Sequence, residues 1–160
     1  MMNVRSTVKA IILNDNKILL NKCLDPNNGS YYCLPGGGQD VMESLSDAVV
    51  RECIEETGYW VTAPKFVGVL ELICMGKNVE ERLKPYMHKL YNIVICRLAS
   101  ESRVEPDSTD EWQVSSDWIP LEELANKRIL PKSLNDNIIE MIEVQELKFL
   151  GTEYIEHLHA

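Results

Sequence analysis

GGQDVMESLSDAVVRECIEETGY, residues 37–59, is the stretch around which this chain is organised. Another glycine, Gly36, precedes it, so a glycine-rich turn leads into the stretch. From Ser44 to Thr57 there is no proline or glycine; Ser44 is suited to cap a helix N-terminus, and Gly58 is suited to end one. The pattern predicts one helix of about four turns that begins shortly after the turn.

Three carboxylates meet on one side of this helix. Glu52 lies three residues before Glu55 and four before Glu56, and these are the spacings at which side chains meet on a helix. At about 100° per residue, Glu52 and Glu56 also fall within the apolar stripe of the helix. That stripe consists of Leu45, Ala48, Val49 and Cys53. Because like charges repel and burial adds a desolvation cost, bound cations would stabilise this arrangement.

The acidic helix has two interpretations. Oxygen ligands on a rigid helix suit a hard ion such as Mg2+ or Mn2+, which takes its other ligands from water and substrate phosphates. The glycines upstream would let backbone groups approach such an ion closely. The alternative is a solvated helix with weak pairs between Asp47 and Arg51 and between Arg51 and Glu55. Helical spacing alone leaves both interpretations open.

The order of residues in this stretch resembles the Nudix box, the signature of the Nudix (MutT-like) hydrolases. Gly37 is followed by five residues, Glu43, seven residues and then RECIEETGY, which starts at Arg51. Every charged and glycine position of the signature is present, and its apolar positions are filled by Cys53 and Tyr59. The resemblance implies an α/β Nudix fold, a mixed β-sheet sandwiched between α-helices, with residues 1–160 forming a single Nudix hydrolase domain.

The resemblance also implies roles for individual residues. Divalent metal would be bound by Glu52, Glu55, Glu56 and the carbonyl of Gly36. Arg51 and Glu43 would hold the loop and the helix in register, with Gly37 and Gly58 supporting the same structure. A further carboxylate often follows near the position of Glu111 in this family, so Glu111 is the first candidate for an extra metal ligand or general base. Asp110 is the second candidate.

The flanking segments predict strands and one more helix. Residues 4–13 and 17–21 are expected to form a hairpin, residues 31–34 a short strand, and residues 65–75 and 88–98 two neighbouring strands of a mixed sheet. Pro64 is expected to separate a short strand at residues 60–62 from the long one. A polar loop is expected at residues 99–116. After Pro131, an apolar stripe at helical spacing predicts a core-facing helix with Leu134, Ile138, Met141, Ile142 and Leu147. Residues 149–160 give no clear signal, and His157 and His159 are interpreted as surface residues.

Several side chains are candidates for contact with a substrate. Arg5 and Lys9 share a strand face and could reach a phosphate, although a solvated strand face is the competing interpretation. Tyr31 and Tyr32 precede the glycine-rich turn and could stack on a base. Since neighbouring strand residues point to opposite sides, at most one of them would do so, and the other would pack in the core.

Composition limits the class of protein. The chain has 160 residues, 45% of them hydrophobic, which is enough for one substantial core. No run approaches the roughly 18 apolar residues of a membrane span, and the first residues lack a signal-peptide pattern, so a soluble cytoplasmic protein is expected. A net charge of −9 argues against binding nucleic acid polymers. The five cysteines are widely spaced and are expected to be reduced and mostly buried.

The expected function is Mg2+-dependent or Mn2+-dependent hydrolysis of the pyrophosphate linkage in a nucleoside diphosphate joined to another moiety. Glu52 or Glu111 would take the proton of the attacking water. Alternatives are a nucleotide-sugar or ADP-ribose pyrophosphatase, and a module that senses a nucleotide without hydrolysing it. An RNA decapping enzyme is disfavoured by the acidic charge. Positions that mark the ADP-ribose and diadenosine polyphosphate groups are occupied by Ile73, Cys74, Met75 and Gly76, so elimination favours a nucleoside triphosphate, including an oxidised one. A homodimer is a further expectation from the family.

Overall fold

The computed structural model describes residues 3–160, apart from the side chain of Ala63, and in this part of the chain it contains seven β-strands and two α-helices. The elements are, in chain order, β1 (Arg5–Asn14), β2 (Lys17–Asp25), β3 (Gly29–Cys33), α1 (Leu45–Thr57), β4 (Tyr59–Cys74), β5 (His88–Arg103), β6 (Gln113–Pro120), α2 (Lys132–Val144) and β7 (Lys148–Ile155). Two short 3-10 helices lie at Glu81–Tyr86 and Leu121–Asn126.

The seven strands form one mixed sheet in the order β3-β2-β1-β5-β4-β7, and β6 pairs with β2 beside this path. The pairs β1 with β5 and β4 with β7 are parallel, whereas the other pairs are antiparallel. The predicted hairpin of β1 and β2 and the predicted pairing of β4 with β5 are both present. The mixed sheet expected from the sequence is therefore confirmed.

The glycine-rich segment, residues 35–39, lies along the free edge of β1. β1 pairs with β2 only near the hairpin turn, at Leu13 and Asn14. Further along the same strand, the Val8 N–H donates to the Gly37 carbonyl at 2.9 Å and the Ala10 N–H donates to the Pro35 carbonyl at 2.8 Å. This backbone pairing fixes the glycine-rich segment against the centre of the sheet.

A helix covers each face of the sheet. The first core packs α1 on β1 and β5 through Val8, Ala10, Ile12, Ala48, Val49, Cys53 and Val94. The second core packs α2 on the other face through Ile11, Leu70, Ile93, Leu134, Ile138 and Met141. Because Val8, Ala10 and Ile12 belong to the first core and Ile11 belongs to the second, β1 is buried on both faces. The sandwich of sheet and helices is confirmed.

Parts of the chain differ from the sequence prediction. Pro64 does not end a strand; β4 runs through it, with an irregular register between Thr62 and Lys65. β5 and β6 extend into the region predicted as a polar loop. Leu147 lies beyond α2 and is exposed, so it is not part of the core stripe. Within residues 3–160, no helix is long and apolar enough to cross a membrane.

Candidate active site

Helix α1 begins and ends as its sequence predicts. The Ser44 side chain accepts a hydrogen bond from the Asp47 N–H, which satisfies a free donor of the first turn. Gly58 takes a left-handed conformation, with φ of 75°, and its N–H donates to the Ile54 carbonyl. Buried Cys53 anchors the helix on the sheet. The acidic side chains of the last two turns are thereby directed toward the glycine-rich segment.

The glycines are needed because the segment passes between β1 and α1. Gly36 has φ of 132°, and a Cβ at this position would lie 2.1 Å from the Val8 carbonyl oxygen. A Cβ on Gly37 would lie 2.5 Å from the Glu52 carboxylate, and a Cβ on Gly38 would lie 2.0 Å from the Arg5 guanidinium. At Gly36 the obstacle is backbone, so only a residue without a side chain fits there. At Gly37 and Gly38 a side chain would require Glu52 or Arg5 to move.

Glu56 is the most buried of the three helix acids. Its carboxylate accepts hydrogen bonds from the Gly36 N–H at 2.9 Å and from Asn21 Nδ2 at 2.8 Å. Burial raises the pKa of Glu56 to about 7, although nearby Lys9 favours the charged form. Burial also raises the pKa of Glu52. Both acids therefore occupy surroundings in which an additional positive charge would be stabilising.

Arg51 connects the loop to the helix. It forms a two-pronged pair with Glu43, with both N···O distances at 2.8 Å. The same guanidinium donates to Glu52 at 2.8 Å, to Glu55 at 3.2 Å and to the Gly38 carbonyl at 3.0 Å. Hydrogen bonds from Arg51 and from the Asp40 backbone lower the pKa of Glu43 to about 2. This arrangement supports the structural role proposed for Arg51 and Glu43.

A cavity of about 280 Å³ lies where α1, the glycine-rich segment and the sheet meet, and we call it the glutamate cavity. Its lining includes Glu52, Glu55, Glu56, Arg5, Lys9, Lys89, Gly36, Gly37, Gly38 and Asp110. The three glutamates come from α1, Asp110 comes from the loop between β5 and β6, and the cations come from β1 and β5. Among residues 3–160, none of the three cations forms an ion pair with a carboxylate.

Lys9 and Arg5 are held in specific positions in this cavity. Lys9 is buried, and its Nζ donates to the Gly36 carbonyl at 2.8 Å. The Arg5 guanidinium lies 4.7 Å from the centre of the Tyr86 ring and against Gly38. The interpretation of this strand face as solvated is therefore wrong at Lys9. A strand face with polar residues can therefore line a polar cavity inside the protein as well as face solvent, and the sequence pattern alone does not distinguish the two.

Tyr31 does not fit its predicted role. Its side chain is only 1% exposed, and its hydroxyl accepts a hydrogen bond from the Ala160 N–H. Such a ring has no free face on which a base could stack, which corrects the assignment of Tyr31 to substrate binding. Tyr32 is half-buried, donates to Asp117 at 3.4 Å and lies outside the glutamate cavity.

The structure reverses the order of the two loop acids, Glu111 and Asp110, as candidates for an extra metal ligand or general base. The Glu111 side chain is 62% exposed and lies 3.4 Å from Arg82, away from the glutamate cavity. Asp110 lines that cavity instead, and its carboxylate accepts a hydrogen bond from the Trp112 N–H at 3.1 Å. Glu111 is therefore corrected as first candidate for an extra ligand or base, and Asp110 replaces it.

Three residues of the site were not identified from the sequence. Lys89 is nearly buried in β5, Asn21 binds Glu56, and Ala160 lines the glutamate cavity. Lys89 lies near the start of one predicted apolar strand, and Asn21 lies at the end of another. A polar residue in such a strand is a weak indication of a functional role. His159, interpreted as a surface residue, is 3% exposed. Nothing in the local pattern indicates that residues 158–160 return to this site.

Oxygen donors of the glutamate cavity are suited to a divalent cation. The Glu52, Glu55 and Glu56 carboxylates and the Gly36 carbonyl are hard ligands of the kind that Mg2+ and Mn2+ prefer. Within residues 3–160, however, no three acidic, histidine or cysteine side chains converge on one point. Arg51 holds Glu52 and Glu55, and Lys9 holds the Gly36 carbonyl. Side-chain rearrangement would have to accompany cation binding.

Comparison with known proteins agrees with these observations. A family model described as NUDIX domain matches residues 3–143. An uncharacterised Nudix hydrolase of Bacillus subtilis is 33% identical over 70 residues, 44% of this chain and 42% of the relative. An ADP-ribose pyrophosphatase of Methanocaldococcus jannaschii is 42% identical over 62 residues, 39% of this chain and 37% of the relative. The chain thus matches less than half the length of these curated relatives.

Solved structures show the same fold. A NUDIX hydrolase from Nitrosomonas europaea has a TM-score of 0.70 at 22% identity, over 90% of this chain and 91% of that one. An ADP-ribose pyrophosphatase from Streptococcus suis has a TM-score of 0.61 at 24% identity, over 94% of this chain and 100% of that one. Since the family model covers most of the chain, and the fold and the signature residues agree with it, the protein belongs to the NUDIX domain family.

Proposed function

We propose that this protein is a Mg2+-dependent or Mn2+-dependent hydrolase that cleaves the pyrophosphate linkage of a nucleoside diphosphate joined to another moiety. The observation that carries the proposal is the composition of the glutamate cavity, where three acids of α1 lie close to three cations without carboxylate partners. Acids can hold divalent cations, and free lysine and arginine side chains can bind phosphate oxygens. A pyrophosphate requires both kinds of group.

Metal binding is assigned to Glu52, Glu55, Glu56 and the Gly36 carbonyl. A divalent cation bound there would neutralise phosphate charge and lower the pKa of a coordinated water. Arg51 would keep its pair with Glu43 while releasing Glu52 and Glu55, so the helix would stay in register. The hydrogen bonds from Gly36 and Asn21 hold the Glu56 carboxylate in place throughout.

Glu52 is the proposed general base. Its carboxylate faces the backbone of Gly37, lines the glutamate cavity and has a raised pKa because it is buried. A raised pKa makes a carboxylate a better proton acceptor near neutral pH. Asp110 is the second candidate because it lines the same cavity from the opposite loop.

Two substrate classes are favoured by different observations. The absence of the residues that mark the ADP-ribose group favours a nucleoside triphosphate, including an oxidised one. The names of the M. jannaschii relative and the S. suis structure, both ADP-ribose pyrophosphatases, favour ADP-ribose or a nucleotide sugar. A substrate panel that contains nucleoside triphosphates, ADP-ribose and nucleotide sugars separates these classes, since only one would give a high kcat/KM.

The test of the helix acids is substitution of Glu55→Gln and Glu56→Gln. We expect each to reduce kcat/KM by about 100-fold or more, the scale seen when one electrostatic group of an active site is removed. Glu101→Gln is the matched control, because Glu101 is exposed and lies outside the cavity. Unchanged turnover in both helix variants would remove α1 from the mechanism.

A nucleotide-sensing module is the alternative of a different class. It would bind a nucleotide but release no product, whereas a hydrolase gives product that depends on Mg2+ and stops when EDTA is added. Binding without metal-dependent release would establish the sensor and reject the hydrolase.

The cellular setting is part of the same proposal. We propose that residues 1–160 form one Nudix domain and that the protein works in the cytoplasm. The wide spacing of the five cysteines in the sequence, without a disulfide framework, supports this setting. A homodimer stays a prediction.

A further inference from the structure

A second cavity, of about 380 Å³, adjoins the glutamate cavity. We call it the aromatic cavity, because Tyr86, Trp112 and His159 contribute planar rings to its lining. The two cavities share Tyr86, Lys89 and Asp110, so they meet at these residues. Small-molecule sites in proteins are typically about 300–1,000 Å³. The aromatic cavity is therefore large enough to receive part of a substrate whose diphosphate lies in the glutamate cavity.

Lys89 stands at the boundary between the cavities. It is 9% exposed, and its Nζ donates to the His159 carbonyl at 3.2 Å. No carboxylate of residues 3–160 forms an ion pair with it, and Lys9 lies close enough to repel it. Burial, with a contribution from Lys9, lowers the pKa of Lys89 to about 8. A buried ammonium without a carboxylate ion pair would gain an ionic partner if a phosphate entered.

His159 lines the aromatic cavity and carries a buried hydrogen-bonding atom without a partner among the described residues. Its Nδ1 lies 3.2 Å from the Ala160 carbonyl, while its Nε2 is buried and has no partner within residues 3–160. Burial lowers the pKa of His159 to about 4, so the ring is neutral near pH 7. A buried polar atom without a partner is uncommon in proteins and destabilising. A ligand with hydrogen-bonding groups at its edge would satisfy it once a small rotation of the ring exposed the atom.

The rings of the aromatic cavity favour a planar ligand group. One face of Tyr86 is already covered by the Arg5 guanidinium, which holds the tyrosine beside the cavity boundary. Nucleobases combine a flat face, which can stack on aromatic side chains, with a polar edge, which can bind an atom such as His159 Nε2. An alkyl group could pack on the rings but would leave His159 Nε2 without a partner.

We propose that the aromatic cavity binds the nucleobase of the substrate, and that Lys89 binds the phosphate that connects the base-bearing half to the bond cleaved in the glutamate cavity. This inference rests on the proposed function and assigns the residues that would select the substrate. Lys89 and His159 become specificity-determining residues, and Glu52, Glu55 and Glu56 keep their proposed roles in the chemistry. Residues 158–160 then form part of the substrate site.

Two product-like ligands provide a matched test. Adenosine monophosphate carries a base, a ribose and a phosphate, whereas ribose 5-phosphate lacks the base. Their dissociation constants with the full chain can be measured by isothermal titration calorimetry in the presence of Mg2+. We expect the wild-type protein to bind adenosine monophosphate more tightly, because only this ligand reaches the aromatic cavity.

Lys89→Met tests the phosphate contact. We expect it to weaken both ligands by about tenfold or more, the effect of losing a charge-assisted hydrogen bond, while Lys89→Arg restores much of the affinity. Lys65→Met is the matched control, because Lys65 is exposed on β4 outside both cavities. Unchanged affinity of Lys89→Met for both ligands would overturn the assignment of Lys89.

His159→Leu tests the base contact. We expect weaker binding of adenosine monophosphate, by about fivefold or more, with unchanged binding of ribose 5-phosphate. His157→Leu is the matched control, since His157 is exposed and does not line the aromatic cavity. Equal effects of His159→Leu on the two ligands, or no effect on either, would overturn the base site. Circular dichroism spectra that match the wild type show that each variant is folded.

The outcomes separate this inference from the proposed function. Wild-type protein that binds adenosine monophosphate through Lys89 and His159 but hydrolyses nothing would support the base site and reject the hydrolase. Protein that hydrolyses a nucleoside diphosphate derivative with the same KM in the wild type, Lys89→Met and His159→Leu would support the hydrolase and overturn the base site.

Discussion

Arg51 carries most of the side-chain connections in the candidate site. Its guanidinium reaches Glu43, Glu52, Glu55 and the Gly38 carbonyl, and so joins the loop to the helix. A lysine could not make these contacts at once, because its ammonium is a single point charge without a planar fork. Glycine has the complementary role on the loop side, where the backbone at Gly36 passes too close to β1 for any side chain.

Gly36→Ala tests this close approach at the scale of a single residue. The new Cβ would lie 2.1 Å from the Val8 carbonyl oxygen at a positive φ, so the loop must shift. We expect the free energy of unfolding to fall by at least about 3 kcal/mol, measured by urea denaturation. Gly29→Ala is the control: its φ is also positive but nothing lies within 4 Å, so the expected loss is about 1 kcal/mol. Equal losses would show that the loop is not confined.

At the scale of elements, β7 and the residues after it complete the site from a distance. β7 pairs in parallel with β4 at the edge of the sheet, and the chain then returns to the cavities at residues 158–160. Asn28 donates to the Leu158 carbonyl, and Tyr31 accepts from the Ala160 N–H. These contacts hold a segment with a buried histidine against β3, and Lys89 of β5 donates to the His159 carbonyl.

Burial of His159 predicts a pH dependence for the docking of this segment. The pKa of His159 is lowered from 6.5 to about 4 by burial, so the unfolded chain binds more protons between these pH values. The stability that this neutral histidine contributes is therefore fully present above about pH 6.5 and is lost as the pH falls toward 4. At pH 5 we expect this one group to reduce the free energy of unfolding by about 2 kcal/mol relative to pH 7.

His159→Leu should flatten that part of the pH profile, whereas His157→Leu should leave it unchanged. Urea denaturation at pH 5 and pH 7 measures the difference. Lys9, Lys89 and Glu153 also act on His159, and each is present in both variants, so their own contributions cancel in the comparison. A profile of the same slope in His159→Leu and the wild type would contradict the prediction.

At the scale of the whole molecule, charge couples metal binding to stability. The chain carries a net charge of −9, and three of its acids line a cavity from α1, where burial already raises the pKa of Glu52 and Glu56. A ligand that binds only the folded state stabilises it, by about 2.7 kcal/mol at 100 times its dissociation constant. We expect Mg2+ or Mn2+ to raise Tm, and Glu56→Gln to lose most of this shift.

Differential scanning calorimetry at matched ionic strength measures the effect, with NaCl in place of the divalent salt as control. Glu101→Gln should keep the full shift, since Glu101 lies away from the cavity. An equal rise of Tm in Glu56→Gln and in the wild type would show that the divalent ion acts on the molecule as a general electrolyte.

Sequence information predicts the elements whose signals are local. Ser44 and Gly58 mark the ends of α1 within the same fourteen or so residues that form it, and the pattern of β1 and β2 includes its own turn. β7 was missed because it alternates weakly and is fixed by pairing with β4, about 80 residues earlier in the chain. Pro64 was misjudged because an irregular register absorbs it within β4.

Within the site, the helix acids could be predicted but several partners could not. Helical spacing brings Glu52, Glu55 and Glu56 together whatever surrounds them. Whether Asp110 or Glu111 faces the glutamate cavity depends on a turn in which the Asp110 carboxylate accepts a hydrogen bond from the Trp112 N–H. The sequence does not reveal which of the two side chains this turn directs toward the cavity. Burial of polar residues such as Lys89 follows from tertiary packing, which a strand pattern does not contain.

The glycine-rich segment has a consequence that concerns association between molecules. A strand with unused N–H and C=O groups along one side is a template on which another copy can add a strand. Residues 35–39 occupy that side of β1 through the bonds of Val8 and Ala10. The loop that shapes the candidate active site is thus also a shield against self-assembly, and a change that loosened it would threaten solubility together with catalysis.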